Sequence, residues 1–442
     1  MPAGARIGAG GGLSTYQMAV IAVCCLCNAA DGFDVASLSV AAPVLSREWN
    51  LDPAMLGLVF TSASIGLALG AFTIGPLTER IGRRPVMLTA IGSLTINLFL
   101  TAICNTVMVM AGLRFLTGLA LGALVVCLNA HVAEYAGEKS RNMALAVLHV
   151  GFTIGLMAAS TVAAIVLETL GWREVFMAAS LLNAVTFVLC LVLIEESPAF
   201  LAGRRRTSDL ARYNRAMRRL SQPEVAELPH LEAGSGGKRL RFTSLLAPPY
   251  RTQTILLWVA ALTYSIVGYF QMQWKPTIIA NAGISPSIAA ASGLVAGLFG
   301  AVGHLAMGGF GQRFGERRLT GIFFSLTVVA LVLFAIQPPQ LVPLMTTAGL
   351  ISFFLVGAYT GLFLVAVITY PTELKTSGLG LMVGFTRIGS AIGPMLGGLL
   401  LSYGFSRMNV YFIFSAIAVV PAIAVFTAMA KAGTPKPVPA SA

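Results

Sequence analysis

Charge is scarce in this chain. Of its 442 residues only 10% are charged, and only 17 are Asp or Glu. With so few acids and four histidines, no His, Cys, Asp and Glu cluster has metal-ligand spacing, and no nucleophile–base motif stands out. An enzyme is therefore the least expected class, and no cofactor or metal is expected. The cysteines (Cys24, Cys25, Cys27, Cys104, Cys127 and Cys190) all fall inside apolar segments. That leaves no disulfide framework in an oxidising loop and casts them as small packing residues. The polar, Gly-rich N-terminus lacks a charged stretch followed by a cleavage site, so the first apolar segment is expected to be retained. Sustained polarity is missing as well. A chain that is 57% hydrophobic, with a mean hydropathy of +0.83, is excluded from the soluble globular proteins.

What is present is apolar sequence in lengths that suit a bilayer, which takes about 20 residues to cross. Twelve such segments are expected near 16–40, 54–75, 86–105, 108–131, 143–168, 174–194, 252–274, 286–309, 319–336, 341–368, 376–402 and 409–430. The net charge of +12 invites a nucleic-acid partner, but its distribution argues for a lipid bilayer instead. With the N-terminus inside, all but six of the 29 Lys and Arg fall on the cytoplasmic side. Arg47, Arg173, Lys275 and Arg407 are assigned outside, and Arg114 and Arg387 lie within spans. That asymmetry places both termini in the cytoplasm. The eleven basic residues from Arg204 to Arg251 need no partner beyond anionic headgroups.

The polar stretch 195–251 divides the chain into an N-terminal bundle (1–194) and a C-terminal bundle (252–442), with six spans in each. A short amphipathic helix is expected near 209–220, and the rest of the stretch reads as linker. The turn after span 2 reads Gly75-Pro-Leu-Thr-Glu79-Arg80-Ile-Gly82-Arg83-Arg84. The turn after span 8 reads Gly308-Gly-Phe-Gly-Gln312-Arg313-Phe-Gly315-Glu316-Arg317. Glycine, arginine, glycine and arginine recur in register at equivalent places, the mark of an internal repeat.

Two acids, Asp31 and Asp34, stand deep in the first span. A carboxylate near the bilayer centre costs about 2.5–3.5 kcal/mol on insertion scales, so such residues are rarely kept without a use. Their i, i+3 spacing puts both on one helix face, with Gly32 between them leaving room for a neighbour. Paired acids in a poorly solvated place favour holding a proton, so they are assigned to proton coupling.

These features together resemble the major facilitator superfamily, over nearly the whole chain. Within it the chain is similar to the aromatic acid:proton symporter family. The likeness rests on Asp31-Gly32-Phe33-Asp34, on Arg114-x3-Gly118-x3-Gly122, and on Trp274-x-Pro276-Thr277. It rests also on Tyr370-Pro371-Thr372-Glu373-Leu374-Lys375 leading to Gly384-x2-Arg387-x-Gly389 and Gly393-Pro394. The resemblance implies an all-α membrane protein of two pseudo-symmetric six-helix bundles. It implies import of benzoate-like carboxylates across a bacterial inner membrane by alternating access, driven by the proton gradient. Departures are Glu79 for the commoner aspartate, Gln312 for an acid in the second copy, and Lys275 after Trp274.

Arg387 lies about 14 residues, or roughly 20 Å, from the turn at Glu373, too deep to snorkel. It needs an anion, and its planar fork suits a carboxylate. The substrate is the assigned partner, with Asp31 or Asp34 as the alternative. Arg114 either snorkels or is drawn toward the span 1 acids by the Gly118/Gly122 face, in a substrate-linked coupling or gating role. Tyr264, Tyr269, Phe270, Gln271 and Trp274 in span 7, with Tyr359 and Phe363 in span 10, are candidates to wall an aromatic ring. An inner latch is assigned to the basic turns (Gly75, Glu79, Arg80, Gly82, Arg83, Arg84 and Arg313) with Glu134, Arg141 and Glu373, pairing Glu134 with Arg80 or Arg141. His131, His149 and His304, toward cytoplasmic span ends, read as packing residues, with proton shuttling as the alternative. The runner-up function is a proton-driven exporter of drugs or organic anions. Span 5 offers Gly151-x3-Gly155 without the proline that such exporters often carry. A receptor for such acids ranks last, since no signalling domain is visible. A monomer suffices for transport.

Overall fold

A backbone in hydrocarbon must satisfy its own N–H and C=O groups, so every long apolar run closes into a helix. The computed structural model describes residues 13–74, 77–204, 209–220, 222–229, 242–248 and 250–431. Among these, twelve helices are long and apolar enough to cross a membrane. The order is α1 (Thr15–Glu48), α2 (Pro53–Thr73), short α3 (Thr78–Ile81), α4 (Arg83–Ile103), α5 (Val107–Tyr135), α6 (Gly137–Val166), α7 (Arg173–Leu193), short α8 (Pro198–Arg204) and α9 (Leu210–Arg219). After a 3-10 turn at Phe242–Leu246 come α10 (Arg251–Asn281), short α11 (Pro286–Ala290), α12 (Ser292–Phe314), α13 (Glu316–Ile336), α14 (Leu341–Thr369), α15 (Thr372–Ser402) and α16 (Arg407–Lys431). Local chemistry sets the starts. Ser14 and Gln17 form a reciprocal capping box at α1, and Asp52 caps α2 ahead of Pro53.

Two compact units result: Met1–Gly236 with Gly283–Leu294, and Gly237–Ala282 with Val295–Ala442. In the first, α1 packs on α6, α2 on α5 and α4 on α7. In the second, α10 packs on α15, α12 on α14 and α13 on α16. The same pairing order appears twice, so the repeated turn motif reflects a repeated architecture. Gly82 and Gly315, equivalent in the two motifs, both take positive φ (116° and 85°) and each immediately precedes a helix. Only glycine adopts that turn without strain.

Lipid tails are as apolar as leucine, so helices associate through close packing at small residues. A Cβ on Gly32 would strike the Phe152 carbonyl, and one on Gly155 the Ala29 carbonyl, so glycine on both helices brings α1 and α6 together. Gly66 and Gly70 of α2 and Gly118 and Gly122 of α5 do the same for that pair. In the second unit Gly389 and Gly393 of α15 sit on α10 backbone, and Gly303 of α12 on the Phe353 carbonyl. The outward faces keep large apolar side chains exposed, among them Leu305, Val342, Ile165 and Leu181, as a lipid-facing surface requires. Five of the six cysteines are buried, with Cys27 and Cys190 sulfurs 3.3 Å apart between α1 and α7.

The amphipathic segment near 209–220 forms α9, whose Tyr213, Ala216 and Met217 are buried on the first unit. Two helices outrun their expected ends. α1 continues to Glu48, and α10 runs to Asn281, which takes Lys275 off the outer loop and buries it inside the helix. Pro276 read as a stop, yet a packed membrane helix tolerates proline where neighbours and local adjustment accommodate it.

Gly155→Ala places a methyl group against backbone that cannot retreat, an overpacking that costs about 1–3 kcal/mol. Thermal unfolding in detergent should show that loss, whereas Gly112→Ala, with open space around its Cβ, should show none.

Candidate functional site

Asp31 and Asp34 lie midway along α1 and are each 3% exposed. Their faces are set by the glycine contacts with α6, which leave the acids inside the unit. Arg114 of α5, 2% exposed, reaches Asp34, with Nη1 2.7 Å from its Oδ1. Its Nη2 donates to Thr101 Oγ1 of α4 at 3.2 Å, and its guanidinium lies 5.2 Å from the centre of the Phe176 ring of α7. Arg114 therefore does not snorkel. One turn onward, Gly118 seats α5 against α2 backbone, and the arginine is held within the bundle. Asp34 has its cation in its own unit.

In the second unit Arg387 of α15 is half-buried and forms no ion pair among the unit's described residues. Its Nη1 meets Tyr269 Oη of α10 at 3.3 Å. Beside it, Tyr264 of α10 and Tyr359 of α14 stack with ring centres 5.0 Å apart and planes 12° apart. Phe363 stands edge-on to Tyr359 at 5.0 Å, and Phe324 lies edge-on to Tyr264 at 6.2 Å. Tyr359 is close enough to feel the guanidinium charge. Arg387, Tyr269, Tyr264 and Tyr359 thus form one cluster of a cation, phenol hydroxyls and ring faces. The other three span 7 candidates make contacts between helices. Trp274 is 1% exposed, its indole N–H donates to the Pro394 carbonyl at 2.9 Å, and its ring meets Gly397. Gln271 is buried, and its Oε1 accepts from Tyr411 Oη at 3.4 Å. Phe270 stacks on Phe414.

At the basic turns the pairing differs from expectation. Glu134 bonds Arg83, at 2.9 Å, rather than Arg80 or Arg141. Arg80 is exposed, and Arg141 donates to the Ala133 carbonyl. The positive-φ turn at Gly82 makes Arg83 the first residue of α4, and from there its side chain reaches the last turn of α5. Arg84 donates to the Leu191 carbonyl. In the second copy Arg313 is exposed beside Phe314, and Arg317 donates to Thr369. Gly75 lies outside the described residues, as do the side chains of Glu79, Gln312 and Glu373. His131 is buried and stacks on Tyr135 at 4.6 Å.

The sequence reading missed Glu196, whose Oε1 accepts from the backbone N–H groups of Arg83 (2.9 Å), Arg84 (3.3 Å) and Ser197 (3.0 Å). An anion at the N-terminus of α4 satisfies orphan donors and complements the helix dipole. It missed Glu48 as well, which pairs with Arg173 at 2.7 Å and accepts from Trp172 Nε1.

Breaking a buried pair while leaving one charge behind costs about 3–5 kcal/mol. Asp34→Asn should therefore lower stability strongly in thermal unfolding. Adding Arg114→Gln to it should restore most of the loss, because no uncompensated charge is left.

The model of the Major Facilitator Superfamily matches residues 24–374 and 257–442. A gallate transporter of Pseudomonas putida is 31% identical over 403 residues, covering 89% of this chain and 87% of that protein. The 4-hydroxybenzoate transporter PcaK of Pseudomonas aeruginosa is 29% identical over 395 residues, covering 89% and 88%. Among solved structures, the nucleoside transporter NupG superposes with a TM-score of 0.71 at 15% identity, covering 94% of this chain and 99% of that one. The match to the family model and the repeated six-helix pairing agree: this chain is a multi-pass membrane transporter, not an enzyme, and belongs to the major facilitator superfamily, among the relatives of the aromatic-acid transporters.

Proposed function

We propose that this protein imports an aromatic carboxylate together with at least one proton, by alternating access across a bacterial inner membrane, with both termini cytoplasmic. The observation that carries the reading is Arg387. It is a guanidinium deep in a membrane helix, bonded to one phenol and set beside a stacked tyrosine pair, with no ion pair among the described residues of its unit. A permanently charged group there calls for an anion, and the adjoining aromatic faces suit a ring attached to that anion. The gallate and 4-hydroxybenzoate transporters among the relatives carry such molecules by name.

The proposed cycle follows from the charges. A carboxylate docks on Arg387 while its ring lies against Tyr264 and Tyr359, and Tyr269 orients the guanidinium. The proton is taken by the Asp31/Asp34 pair. A proton on Asp34 cancels its attraction to Arg114 and frees that side chain to move, which links protonation to a change in the first unit. Pairing the substrate carboxylate with Arg387 lowers the cost of closing the site away from water. The Arg83–Glu134 pair, 16% and 21% exposed, links the start of α4 to the last turn of α5, where a contact made and broken in every cycle would act.

Energised cells expressing the protein should accumulate labelled 4-hydroxybenzoate or benzoate when an inward proton gradient is imposed, and should lose accumulation with an uncoupler. Arg387→Ala should abolish saturable uptake, and should remove the stabilisation by aromatic acids of the purified protein, which otherwise grows with the logarithm of ligand concentration over Kd. Wild-type kinetics in Arg387→Ala would remove Arg387 from the site. Stabilisation by bulky hydrophobic cations alone would move the protein to the exporters.

A further inference from the structure

Lys275 is the charged group that the cycle above leaves unused. It is 5% exposed, six residues before the end of α10 and so about 9 Å inside the helix. The second unit contains two acids in its whole sequence, Glu316 and Glu373, in the first turns of α13 and α15. Both turns lie at the end where α10 begins. Tyr370, just before α15, hydrogen-bonds Thr254 near the start of α10, and Arg317, beside Glu316, bonds Thr369. Lys275 is 24 residues farther along α10, about 36 Å away. Neither acid of the unit reaches it, and no ion pair involves it among the described residues.

Its one hydrogen bond among the described residues is a long one, Nζ to Ser352 Oγ of α14 at 3.5 Å. Ser352 donates its own proton to the Ala348 carbonyl at 3.1 Å, so toward Lys275 it can only accept. An ammonium has three donors, and two are left without an acceptor among the described residues in a place where solvation is poor. A buried charge in that condition is costly unless an anion joins it. The position is also aligned with the aromatic cluster. Tyr264, Gly268 and Lys275 share the face of α10 that meets α14, where their neighbours are Tyr359, Leu355 and Ser352. Along α10, Lys275 stands about 9 Å from Tyr269, the partner of Arg387.

We propose that Lys275, with Ser352, is a second carboxylate-binding position that works with Arg387. It takes either a second anionic group on the aromatic ring or the single carboxylate on its way to Arg387. The proposal rests on the transport reading above. Two donors left on the ammonium match the two oxygens of a carboxylate, and the serine hydroxyl fixes where the ammonium sits.

The test compares wild type with Lys275→Met, Lys275→Arg and Arg387→Ala in detergent and in cells, with benzoate and the benzenedicarboxylates as probes. Lys275→Met should raise the thermal midpoint of the ligand-free protein, since an apolar chain replaces an uncompensated charge. It should weaken a dicarboxylate at least tenfold in Kd while benzoate is spared, which identifies the second ring substituent. A raised KM for benzoate uptake with unchanged Kd would instead identify the carboxylate in transit. Lys275→Arg should keep most of either function. If Lys275→Met leaves Kd and KM of all probes within twofold while Arg387→Ala abolishes binding, the second position is wrong and the transport reading stands. If Arg387→Ala also leaves binding intact, the reading beneath both is overturned.

Discussion

A charge in hydrocarbon must find an opposite charge, and the first unit is arranged around one that has done so. Arg114 joins four helices through a single side chain: α5 carries it, α1 supplies Asp34, α4 supplies Thr101, and α7 supplies the face of Phe176. The pair can form only because the helices approach closely. Lipid gives no hydrophobic drive for that approach, so the work falls to packing at small residues. Gly155 and Gly32 bring α1 and α6 together, and Gly118 and Gly122 let α5 lie on α2. The glycine seams and the ion pair therefore depend on each other. A larger residue at the seam would shift the very helices whose spacing keeps Asp34 within 2.7 Å of Arg114.

The second unit repeats the architecture but not the electrostatics. Its α10–α15 seam is again built on glycine against backbone, at Gly389 and Gly393. Its embedded charges, Lys275 and Arg387, are both positive, and its two acids stay at helix starts. Duplication thus preserved the geometry that packing demands, and the charges diverged between the copies.

Much of this was legible in the sequence because hydrocarbon filters composition so strongly. Runs of apolar residues could only be helices, and the glycine–arginine turn recurred in register. Three things stayed hidden, each for a physical reason. Lys275 looked like an outer loop residue because charge followed by proline usually ends a helix, and only burial against α14 shows otherwise. Glu134 could have paired with any of several arginines in the turns, and the positive-φ backbone at Gly82 decided for Arg83. Glu196 lies 113 residues from the N–H group that it accepts from, a contact without any local pattern. In the aromatic cluster, residue types pointed to the tyrosines, but not to which rings are already engaged. Trp274 and Gln271 have the right chemistry, yet Trp274 Nε1 and Gln271 Oε1 are used between helices, whereas the Tyr264–Tyr359 stack borders the guanidinium.

The contrast between the units bears on why a carrier of anions would be built this way. An ion pair complete within one unit is kept when that unit moves as a body, so Asp34 and Arg114 need no outside partner to stay neutral together. Cations in a unit with no acid within reach behave differently. No described acid of their own unit offsets their charge, and an arriving anion does, so the empty and loaded states of that unit differ in electrostatic cost. A ligand can shift a conformational equilibrium only through such a difference between states. On the proposed reading the substrate carboxylate supplies it in the second unit, and the proton supplies it in the first by dissolving the Asp34–Arg114 attraction. Each species then acts on the unit whose charge it alters, the substrate by pairing with a buried cation and the proton by leaving Arg114 without its partner. On that reading coupling follows from the division of embedded charge, with no need for contact between the proton and the substrate.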